Sequence, residues 1–458
     1  MSPFEAPLRV HFVGIGGAGM SAIAKVLLEQ GLTITGSDLK RSRAATMLEA
    51  MGARIDIGHR AENVDGADVV VVSTAIPERN PELQRAELLG VPLMSRGQAL
   101  AEVLEGKRSL VVAGTHGKTT TTSMAVSIAR AACLDPTYLV GGGLNDAGSN
   151  ALYGRGEYTL AESDESDGSF LLLHPYVAVV TNVETDHVDY WASEAELHAG
   201  FERFISQTHP EGAVVVPADD ERLLAAAVKA NRTVVTFGAG GDFRAVDPAP
   251  TTDGMTFRLQ VGDADIQIFL RARGLHNVSN ALAAAAGCAQ IGVDLPVIAR
   301  GLADFRGVER RFQLRGTAAG VTVIDDYAHH PTEVRATLTS ARPGPWERVV
   351  AVFQPHRYSR TAAMAAAFGD AFGDADRVVI TDVYGAGEPP VPGVSGKLIA
   401  DAVCDRLPGR PVAYLPHRAE LLAYLEHHAH EGDMLLTLGA GDISAVGEEL
   451  LQRLGGRS

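Results

Sequence analysis

This chain has few cysteines, no excess of positive charge and no long apolar run. Its three cysteines, Cys133, Cys288 and Cys404, show neither pair spacing nor metal-ligand spacing, which argues against a disulfide framework and a structural zinc site. The formal net charge of -16 argues against nucleic acid as the main partner, because sequence-independent binding to a polyanion requires a basic face. Any phosphate that the protein binds must therefore be held by a local set of donors.

Segments that direct a chain into a membrane are also missing from the pattern. The opening "MSPFEAPLRVHFVG" has no basic stretch followed by an apolar core, and no window holds the roughly 18 uninterrupted apolar residues of a membrane helix. We therefore expect a cytoplasmic protein whose partners are small molecules rather than nucleic acid or a membrane. We expect it to be a monomer or a weak homodimer.

The length and the apolar pattern predict three α/β domains. A chain of 458 residues exceeds what one core usually serves, and its short apolar runs alternate with helix-period segments, as in βαβ units around mostly parallel sheets. In the first block, "LRVHFVGI", "TITGSD" and "DVVVVSTAI" predict the first three strands. The pattern restarts near 106 and near 311, which predicts domains at 1–106, 107–311 and 312–458. Punctuated stretches between 231 and 273 predict added antiparallel strands.

The stretch "VVAGTHGKTTTTSM" predicts a phosphate-binding loop. A buried strand, a glycine turn and Gly117-Lys118-Thr119 at the start of a helix would point backbone N–H groups, the lysine and a Mg²⁺-binding hydroxyl at a phosphate. The common pattern has glycine where this chain has Val112, and Gly114 makes a shorter loop. A glycine turn with an exposed lysine is the alternative. We interpret the stretch as an ATP site.

A second glycine motif, "GIGGAG", follows the first predicted strand. It places Gly14, Gly16 and Gly19 in the G-x-G-x-x-G spacing, and Asp38 ends the next predicted strand. This is the fingerprint of a dinucleotide site, but a nucleotide-sugar diphosphate offers the same pyrophosphate to the same helix end. A tight turn without a ligand is the third reading. The motif therefore indicates a diphosphate before it indicates NAD.

Two acidic stretches follow predicted strands of the middle domain. The run "LAESDESDGSF" holds four carboxylates within six positions: Glu162, Asp164, Glu165 and Asp167. Because Mg²⁺ takes one or two protein carboxylates, we expect one of these four to face the metal. In "VVTNVETDHVDYW", Asp186, His187 and Asp189 cluster after the next predicted strand. The histidine there either has a structural role or contacts a metal or a phosphate.

Two arginines stand out in the last domain. Arg357 and Arg360 in "FQPHRYSRT" lie three apart, on one side of a helical turn, where two guanidiniums can hold a carboxylate or a phosphoryl group. A solvated helix surface is the alternative for either one alone.

In combination these motifs resemble those of the Mur ligase family. The resemblance runs from about residue 8 to the end and includes "HFVGIGGAGMS", "GTHGKTTT", "AESDESDGSF", "TNVETDHVD", "GLHNVSNALAA", "GVERRF", "DDYAHHPTEV", "FQPHRYSRT" and "GAGDI", all in family order. It implies an N-terminal Rossmann-like domain for a UDP-sugar, a central P-loop-type ATPase domain and a C-terminal Rossmann-like domain for an amino acid. The implied reaction joins L-alanine to the lactyl carboxylate of UDP-N-acetylmuramate through an acyl phosphate, with ATP and Mg²⁺, in peptidoglycan precursor synthesis.

The resemblance also implies residue roles. The UDP-sugar would contact Gly14, Gly16, Gly17, Gly19, Asp38 and Ser73. ATP would contact Gly114, Thr115, Gly117, Lys118, Thr119, Thr120, His276, Asn277, Asn280, Arg311 and Asp325. The metal would be held by Thr119, Glu162 and His187, and the amino acid by Tyr327, His329, Arg357 and Arg360. The implied catalytic residues are Lys118, His187, His329, Arg357 and Arg360.

One departure from the family concerns the second metal site. Several sister ligases bridge their metals with a carbamylated lysine, but this chain has no lysine between Lys118 and Lys229, so we expect a site without carbamate and name Glu202 as the substitute. Two other functions stay open. One is a recycling ligase that attaches a peptide to UDP-N-acetylmuramate. The other is an NAD-dependent oxidoreductase, which would leave "GTHGKTTT" unexplained.

Overall fold

The structure is a computed structural model that describes residues 8–145, 149–186 and 190–456. Within these residues the strands form three sheets of five, ten and six strands. The predicted α/β architecture of three domains with mostly parallel sheets is confirmed. The boundaries near 106 and 311 stay predictions, since strands alone do not define where a domain ends.

The first sheet is parallel throughout and has the strand order β3-β2-β1-β4-β5. Its elements are β1 Arg9–Val13, α1 Ala18–Glu29, β2 Thr33–Asp38, α2 Arg43–Ala50, β3 Arg54–Ile57, β4 Val69–Val72, α3 Pro81–Leu89, β5 Leu93–Ser95 and α4 Arg96–Leu104. The strand expected third, in "DVVVVSTAI", is in fact the fourth. The true third strand is half polar and lies at the sheet edge, so it carries little apolar signal. The strand order reverses between β1 and β4, which is where such sheets bind ligands.

The middle sheet has the order β15-β14-β13-β12-β11-β10-β6-β9-β7-β8. Its strands are β6 Arg108–Ala113, β7 Thr137–Leu139, β8 Ala151–Leu152, β9 Tyr158–Glu162, β10 Val177–Val180, β11 Ala213–Pro217, β12 Thr233–Phe237, β13 Phe243–Thr251, β14 Gly254–Val261 and β15 Ala264–Leu270. Its helices are α5 Lys118–Ala131, α6 Glu194–Ser206, α7 Glu221–Lys229, α8 Leu275–Ala289 and α9 Leu295–Asp304. As expected, β13, β14 and β15 pair antiparallel, and β12 still pairs parallel with β11.

The last sheet has the order β16-β17-β21-β18-β19-β20, and only β16 is antiparallel to its neighbour. Its strands are β16 Gln313–Ala318, β17 Val321–Asp326, β18 Arg348–Phe353, β19 Arg377–Ile380, β20 Val412–Tyr414 and β21 Asp433–Leu438. Its helices are α10 Pro331–Ala341, α11 Tyr358–Phe368, α12 Lys397–Arg406, α13 Arg418–His428 and α14 Ser444–Gly455. Pro331 starts α10, and a capping box of His330 and Glu333 fixes that start.

Polar contacts join the middle domain to both of its neighbours. Lys25 of α1 is buried and donates to the Ser149 hydroxyl and the Ala151 carbonyl, each at 2.6 Å. On the other side, Arg360 forms a buried ion pair with Asp186 at 3.0 Å. The large cavity between the domains has walls from all three of them. Among the described residues, no helix has the length and apolar character to cross a membrane.

A buried carboxylate supports the first glycine turn from below. Glu82 is fully buried and accepts hydrogen bonds from the Ser37 hydroxyl at 2.6 Å and from the Asn63 amide. The Ser37 carbonyl in turn accepts the N–H groups of Gly14 and Ile15 at 2.8 and 3.0 Å. Burial acts to raise the pKa of Glu82, but hydrogen bonds from His11, Ser37 and Asn63 lower it to about 2. The charged form therefore stabilises this turn.

We expect Glu82→Gln to lower the free energy of unfolding by about 3 kcal/mol near neutral pH, since the carboxylate is more acidic in the folded state. A lowered pKa contributes stability above the unfolded value, and this contribution is lost as the pH falls from about 4.5 towards about 2. Urea unfolding of both proteins near pH 7 and near pH 4 measures it. Glu87→Gln, an exposed position on the same helix, is the control. An equal gap at the two pH values would contradict the prediction.

Candidate functional site

The predicted phosphate loop links the end of β6 to the start of α5. Gly114 has φ +127°, and a Cβ there would lie 2.2 Å from the Thr181 hydroxyl. Gly117 has φ +80°, and a Cβ there would lie 2.3 Å from the Asn280 side-chain oxygen. Both positions therefore require glycine, for backbone angle and for space. The loop delivers the free N–H groups at the start of α5 to one point, which suits an anion.

Lys118 turns back onto its own loop and onto a buried acid. Its ammonium donates to the Gly114 carbonyl at 2.5 Å, the Thr115 carbonyl at 3.1 Å and the Glu165 carboxylate at 2.8 Å. Burial acts to lower the pKa of Lys118, but Glu165 and Asp164 raise it, so the ammonium stays charged. Burial also raises the pKa of Glu165 to about 7, against the pull of Lys118. A phosphate at the loop would replace Glu165 as the partner of this lysine.

Oxygen atoms suited to Mg²⁺ meet beside the same helix start. The Thr119 hydroxyl donates to Glu162 Oε1 at 2.9 Å, and Glu162 Oε2 accepts the Gly141 N–H at 2.7 Å. Hydroxyl and carboxylate oxygens are what this hard cation prefers, so the two side chains fit it. His187, the third expected ligand, lies outside the described residues.

The expected substitute for the carbamylated lysine is wrong. Glu202 is half exposed on the outer side of α6, where it lies 3.7 Å from Lys229. The neighbours Phe201, Phe204 and Ile205 form the buried face of this helix, so Glu202 necessarily points outward. Glu202 does not line either of the two cavities beside the phosphate loop, which have volumes of about 690 and 240 Å³.

A cavity of about 690 Å³ opens between the three domains. Residues from every domain line it, among them Gly16, Gly19, Arg96, Lys118, Thr119, Glu162, Tyr327 and His329. Four residues expected at the UDP-sugar lie outside this lining: Gly14, Gly17, Asp38 and Ser73. Asp38 instead accepts the Gly16 N–H at 2.9 Å, and so holds the glycine turn in place. Arg96, which we did not predict, contacts Asp164 and Asp167 at 3.4 and 3.0 Å across the domain junction.

A second cavity of about 240 Å³ lies on the other side of the phosphate loop. It brings together most of the residues expected around the nucleotide: Gly117, Thr120, His276, Asn277, Asn280 and Arg311. Burial and the nearby Arg311 lower the pKa of His276 to about 4, so its ring is neutral. A half-enclosed pocket beside a phosphate loop suits a purine and its ribose.

Asp325 does not reach this cavity, which corrects its expected role. Its carboxylate is fully buried and accepts from Arg310 Nε at 2.9 Å and the Thr437 hydroxyl at 2.7 Å. The next residue, Asp326, lines the cavity instead. Successive side chains of a strand point to opposite faces, so only one of the two adjacent acids can face the pocket.

The residues expected around the amino acid follow β17 and β18. Tyr327 and His329 line the large cavity, whereas Arg357 and Arg360 do not. Arg360 is 6 % exposed and holds Asp186 with two nitrogens, at 3.0 and 3.1 Å. Arg357 is 31 % exposed and lies 4.0 Å from Glu388. Their geometries differ, so the two arginines do not form the symmetrical clamp that the spacing suggested.

Two imidazoles beside these arginines have defined tautomers. His329 Nδ1 lies 2.9 Å from the Tyr327 carbonyl, which can only accept, so Nε2 keeps its lone pair. Arg360 Nη1 donates to His356 Nδ1 at 3.2 Å, so His356 carries its hydrogen on Nε2. Burial lowers the pKa values of His329 and His356 to about 4 and about 3, which keeps both rings neutral. We missed His356, although its place at the carboxyl end of a parallel strand was a usable signal.

Comparison with known proteins gives the same three-part division. Models described as the Mur ligase family catalytic domain, the Mur ligase middle domain and the Mur ligase glutamate ligase domain match residues 9–108, 112–288 and 310–441. The UDP-N-acetylmuramate--L-alanine ligase of Rubrobacter xylanophilus is 50% identical over 98% of this chain and 100% of its own length. That of Desulforamulus reducens is 45% identical over 97% of this chain and 98% of its own.

Solved structures agree with these relatives. The UDP-N-acetylmuramate-alanine ligase of Thermotoga maritima superposes with a TM-score of 0.84 at 31% identity, covering 98% of this chain and 100% of its own. A murein peptide ligase from Psychrobacter arcticus gives a TM-score of 0.75 at 25% identity, covering 98% and 99%. The chain belongs to the Mur ligase family.

Proposed function

We propose that this protein uses ATP to join L-alanine to the lactyl carboxylate of UDP-N-acetylmuramate, in peptidoglycan precursor synthesis in the cytoplasm. The observation that carries the proposal is the cavity between the three domains, in which the glycine turn of α1, the phosphate loop and His329 share one space. Relatives at 45 and 50% identity over nearly the whole chain bear the name of this activity.

The chemistry explains why three domains must meet. A carboxylate does not react with an amine, because its oxygen is a poor leaving group. Transfer of the γ-phosphoryl group to the lactyl carboxylate gives an acyl phosphate, and the amine of alanine then displaces phosphate through a tetrahedral intermediate. Lys118 offsets charge on the phosphoryl group during transfer. Water must be excluded from the acyl phosphate, which an enclosed site between domains achieves.

Mg²⁺ would be held by the oxygens of Thr119 and Glu162. When bound, it neutralises phosphate charge beside the Lys118 ammonium. The Thr119 hydroxyl donates to Glu162, and the Gly141 N–H fixes the other carboxylate oxygen, so this chain itself preorganises the two ligands. A metal contact from His187 remains a proposal from the family resemblance.

The histidine tautomers suit the two ends of a zwitterionic amino acid. The ammonium of alanine donates a hydrogen bond to His329 Nε2, and this bond holds the amine in place for attack. His356 Nε2–H and the partly exposed guanidinium of Arg357 offer donors to the alanine carboxylate. The rings of His329 and His356 lie 5.5 Å apart, centre to centre, so acceptor and donor stand side by side. Arg360 acts through Asp186 and His356 rather than on the substrate.

A direct assay separates this function from its alternatives. We expect phosphate release only when UDP-N-acetylmuramate, ATP, Mg²⁺ and L-alanine are all present. Replacement of alanine by a free peptide tests the recycling ligase, and addition of NAD with a scan of nicotinamide absorbance tests the oxidoreductase. Lys118→Ala should lower phosphate release by about 10²-fold or more, because the lysine ammonium offsets the charge on the phosphoryl group during transfer. Lys229→Ala, an exposed lysine, is the matched control. Phosphate release with the peptide but not with L-alanine would contradict the proposal.

Chelation tests the metal. We expect EDTA to abolish phosphate release and Mg²⁺ to restore it. Glu162→Gln should raise the Mg²⁺ concentration needed for half-maximal rate by about tenfold, since a neutral amide is a weaker ligand than a carboxylate. The control is Glu211→Gln, at an exposed position of the same domain. Unchanged Mg²⁺ dependence in Glu162→Gln would remove this residue from the metal site.

The two arginines should fail in different ways. Arg357→Ala should raise KM for L-alanine by about 10- to 100-fold, the loss of a charge-assisted hydrogen bond of about 1.5–3 kcal/mol, with KM for ATP little changed. Arg360→Ala strips the buried Asp186 of its partner, so kcat and the thermal unfolding midpoint should both fall. Steady-state kinetics and thermal melts measure these effects, with Arg222→Ala on the surface as control. Identical losses in the two variants would contradict the division.

A further inference from the structure

His116 lies inside the phosphate loop, yet its side chain faces the C-terminal domain. Its backbone is fixed from both sides: its N–H donates to the Asn182 side chain at 2.9 Å, and its carbonyl accepts from the Thr181 hydroxyl at 2.6 Å. The ring lies between two carboxylates of different domains. Nε2 is 3.5 Å from Glu184, which follows β10, and Nδ1 is 3.3 Å from Glu333 of α10.

The charges around this ring favour its protonated form. An imidazole donates from both nitrogens only as the imidazolium, and here each nitrogen faces a carboxylate. Burial acts to lower the pKa of His116, but the nearby carboxylates of Glu184 and Glu333 raise it to about 9. The other titratable and charged groups around the cluster are Arg311, which lies 3.9 Å from Glu333, and the side chains of Asp186, His276, Asp326, His329 and His330.

Glu333 continues the connection on its far side. Its Oε1 faces His116, while its Oε2 accepts the backbone N–H groups of His329 and His330 at 3.0 and 3.3 Å. The peptide that carries the amine-binding histidine is therefore tied, through one carboxylate, to the ring in the phosphate loop. Thr332 adds a second tie, because its hydroxyl donates to Glu184 at 2.7 Å.

We propose that His116 is a positioning residue that couples the phosphate loop to His329 through Glu333, so that the amine site is assembled when the loop has its nucleotide-binding shape. This rests on the function proposed above. The coupling runs from the Gly114–Lys118 loop through the His116 ring and the Glu333 carboxylate to the start of α10. It explains why a histidine, rather than a small residue, stands between the two glycines of the loop.

A metal ion is the other candidate for this cluster, because His116, Glu184 and His330 place ligand atoms within 4.8 Å of one another. Ligation by His330 would require a lone pair on Nε2. The Thr332 N–H donates to His330 Nδ1 at 3.3 Å, however, so Nε2 carries the hydrogen. Mg²⁺ moreover prefers oxygen ligands. The cluster therefore suits a shared proton better than a metal.

A double-mutant cycle tests the coupling. We expect His116→Gln and Glu333→Gln each to lower kcat/KM for L-alanine by about tenfold or more. The kcat/KM of the double variant should lie within about threefold of that of the less active single variant. His116→Gln combined with Arg357→Ala should instead multiply the two losses. His427→Gln, on the exposed face of α13, is the control and should match wild type. Multiplied losses for His116 and Glu333 would overturn the proposal.

The pH profile supplies a readout that a merely structural role would not move. A raised pKa means that the bridge is intact at low pH and is lost as pH rises through about 9. The ratio of kcat/KM between wild type and His116→Gln cancels the ionisation of alanine itself, and it should fall towards one above that pH. A constant ratio would count against the bridge.

Two further outcomes are informative. A stoichiometric Co²⁺ absorption band that disappears in both His116→Gln and His330→Gln would show that the cluster holds a metal, and would overturn the proposal. If wild type releases no phosphate with L-alanine, the proposed function fails. If wild type is active and His116→Gln is equally active, this inference alone fails.

Discussion

The buried ion pair between Asp186 and Arg360 is the interaction on which the rest of the site depends. Both side chains are less than a tenth exposed, and they come from different domains, so breaking the pair would leave an uncompensated charge at the junction. The same guanidinium donates to His356 Nδ1 and thereby fixes its tautomer. One guanidinium therefore both ties the C-terminal domain to the middle domain and fixes the tautomer of the neighbouring imidazole.

Features that depend on local chain geometry could be predicted from the sequence. The phosphate loop needs a buried strand, two glycines and a helix start in one order, and Gly114 and Gly117 have the positive φ values that this order demands. The Pro331 start of α10 is equally local, since proline suits the first turn of a helix. By contrast, β3 at the sheet edge was missed, because an edge strand need not be apolar.

Features that depend on register or on pairing across domains could not be predicted. Asp325 and Asp326 are adjacent and chemically identical, and only the pairing of β17 with β21 decides which carboxylate faces Thr437 and which lines the cavity of about 240 Å³. The spacing of Arg357 and Arg360 placed both on one helical turn. It gave no sign that Arg360 would form an ion pair with Asp186, which is 174 residues away in the sequence. The prediction that Glu202 replaces the carbamylated lysine was wrong for a simpler reason. Phe201 and Phe204 form the buried face of α6, so Glu202 lies on its outer side.

The site pairs its cations with internal carboxylates, although the protein as a whole is acidic. Lys118 contacts Glu165, Arg96 contacts Asp164 and Asp167, and Arg360 contacts Asp186. A buried, unpaired cation would be costly to desolvate, so each internal carboxylate serves as a stand-in for a ligand or as a domain tie. An anionic ligand at Lys118 would take the place of the Glu165 carboxyl group. Because burial already raises the pKa of Glu165 to about 7, the displaced carboxyl can leave as the neutral acid, which lowers the cost of the exchange near neutral pH.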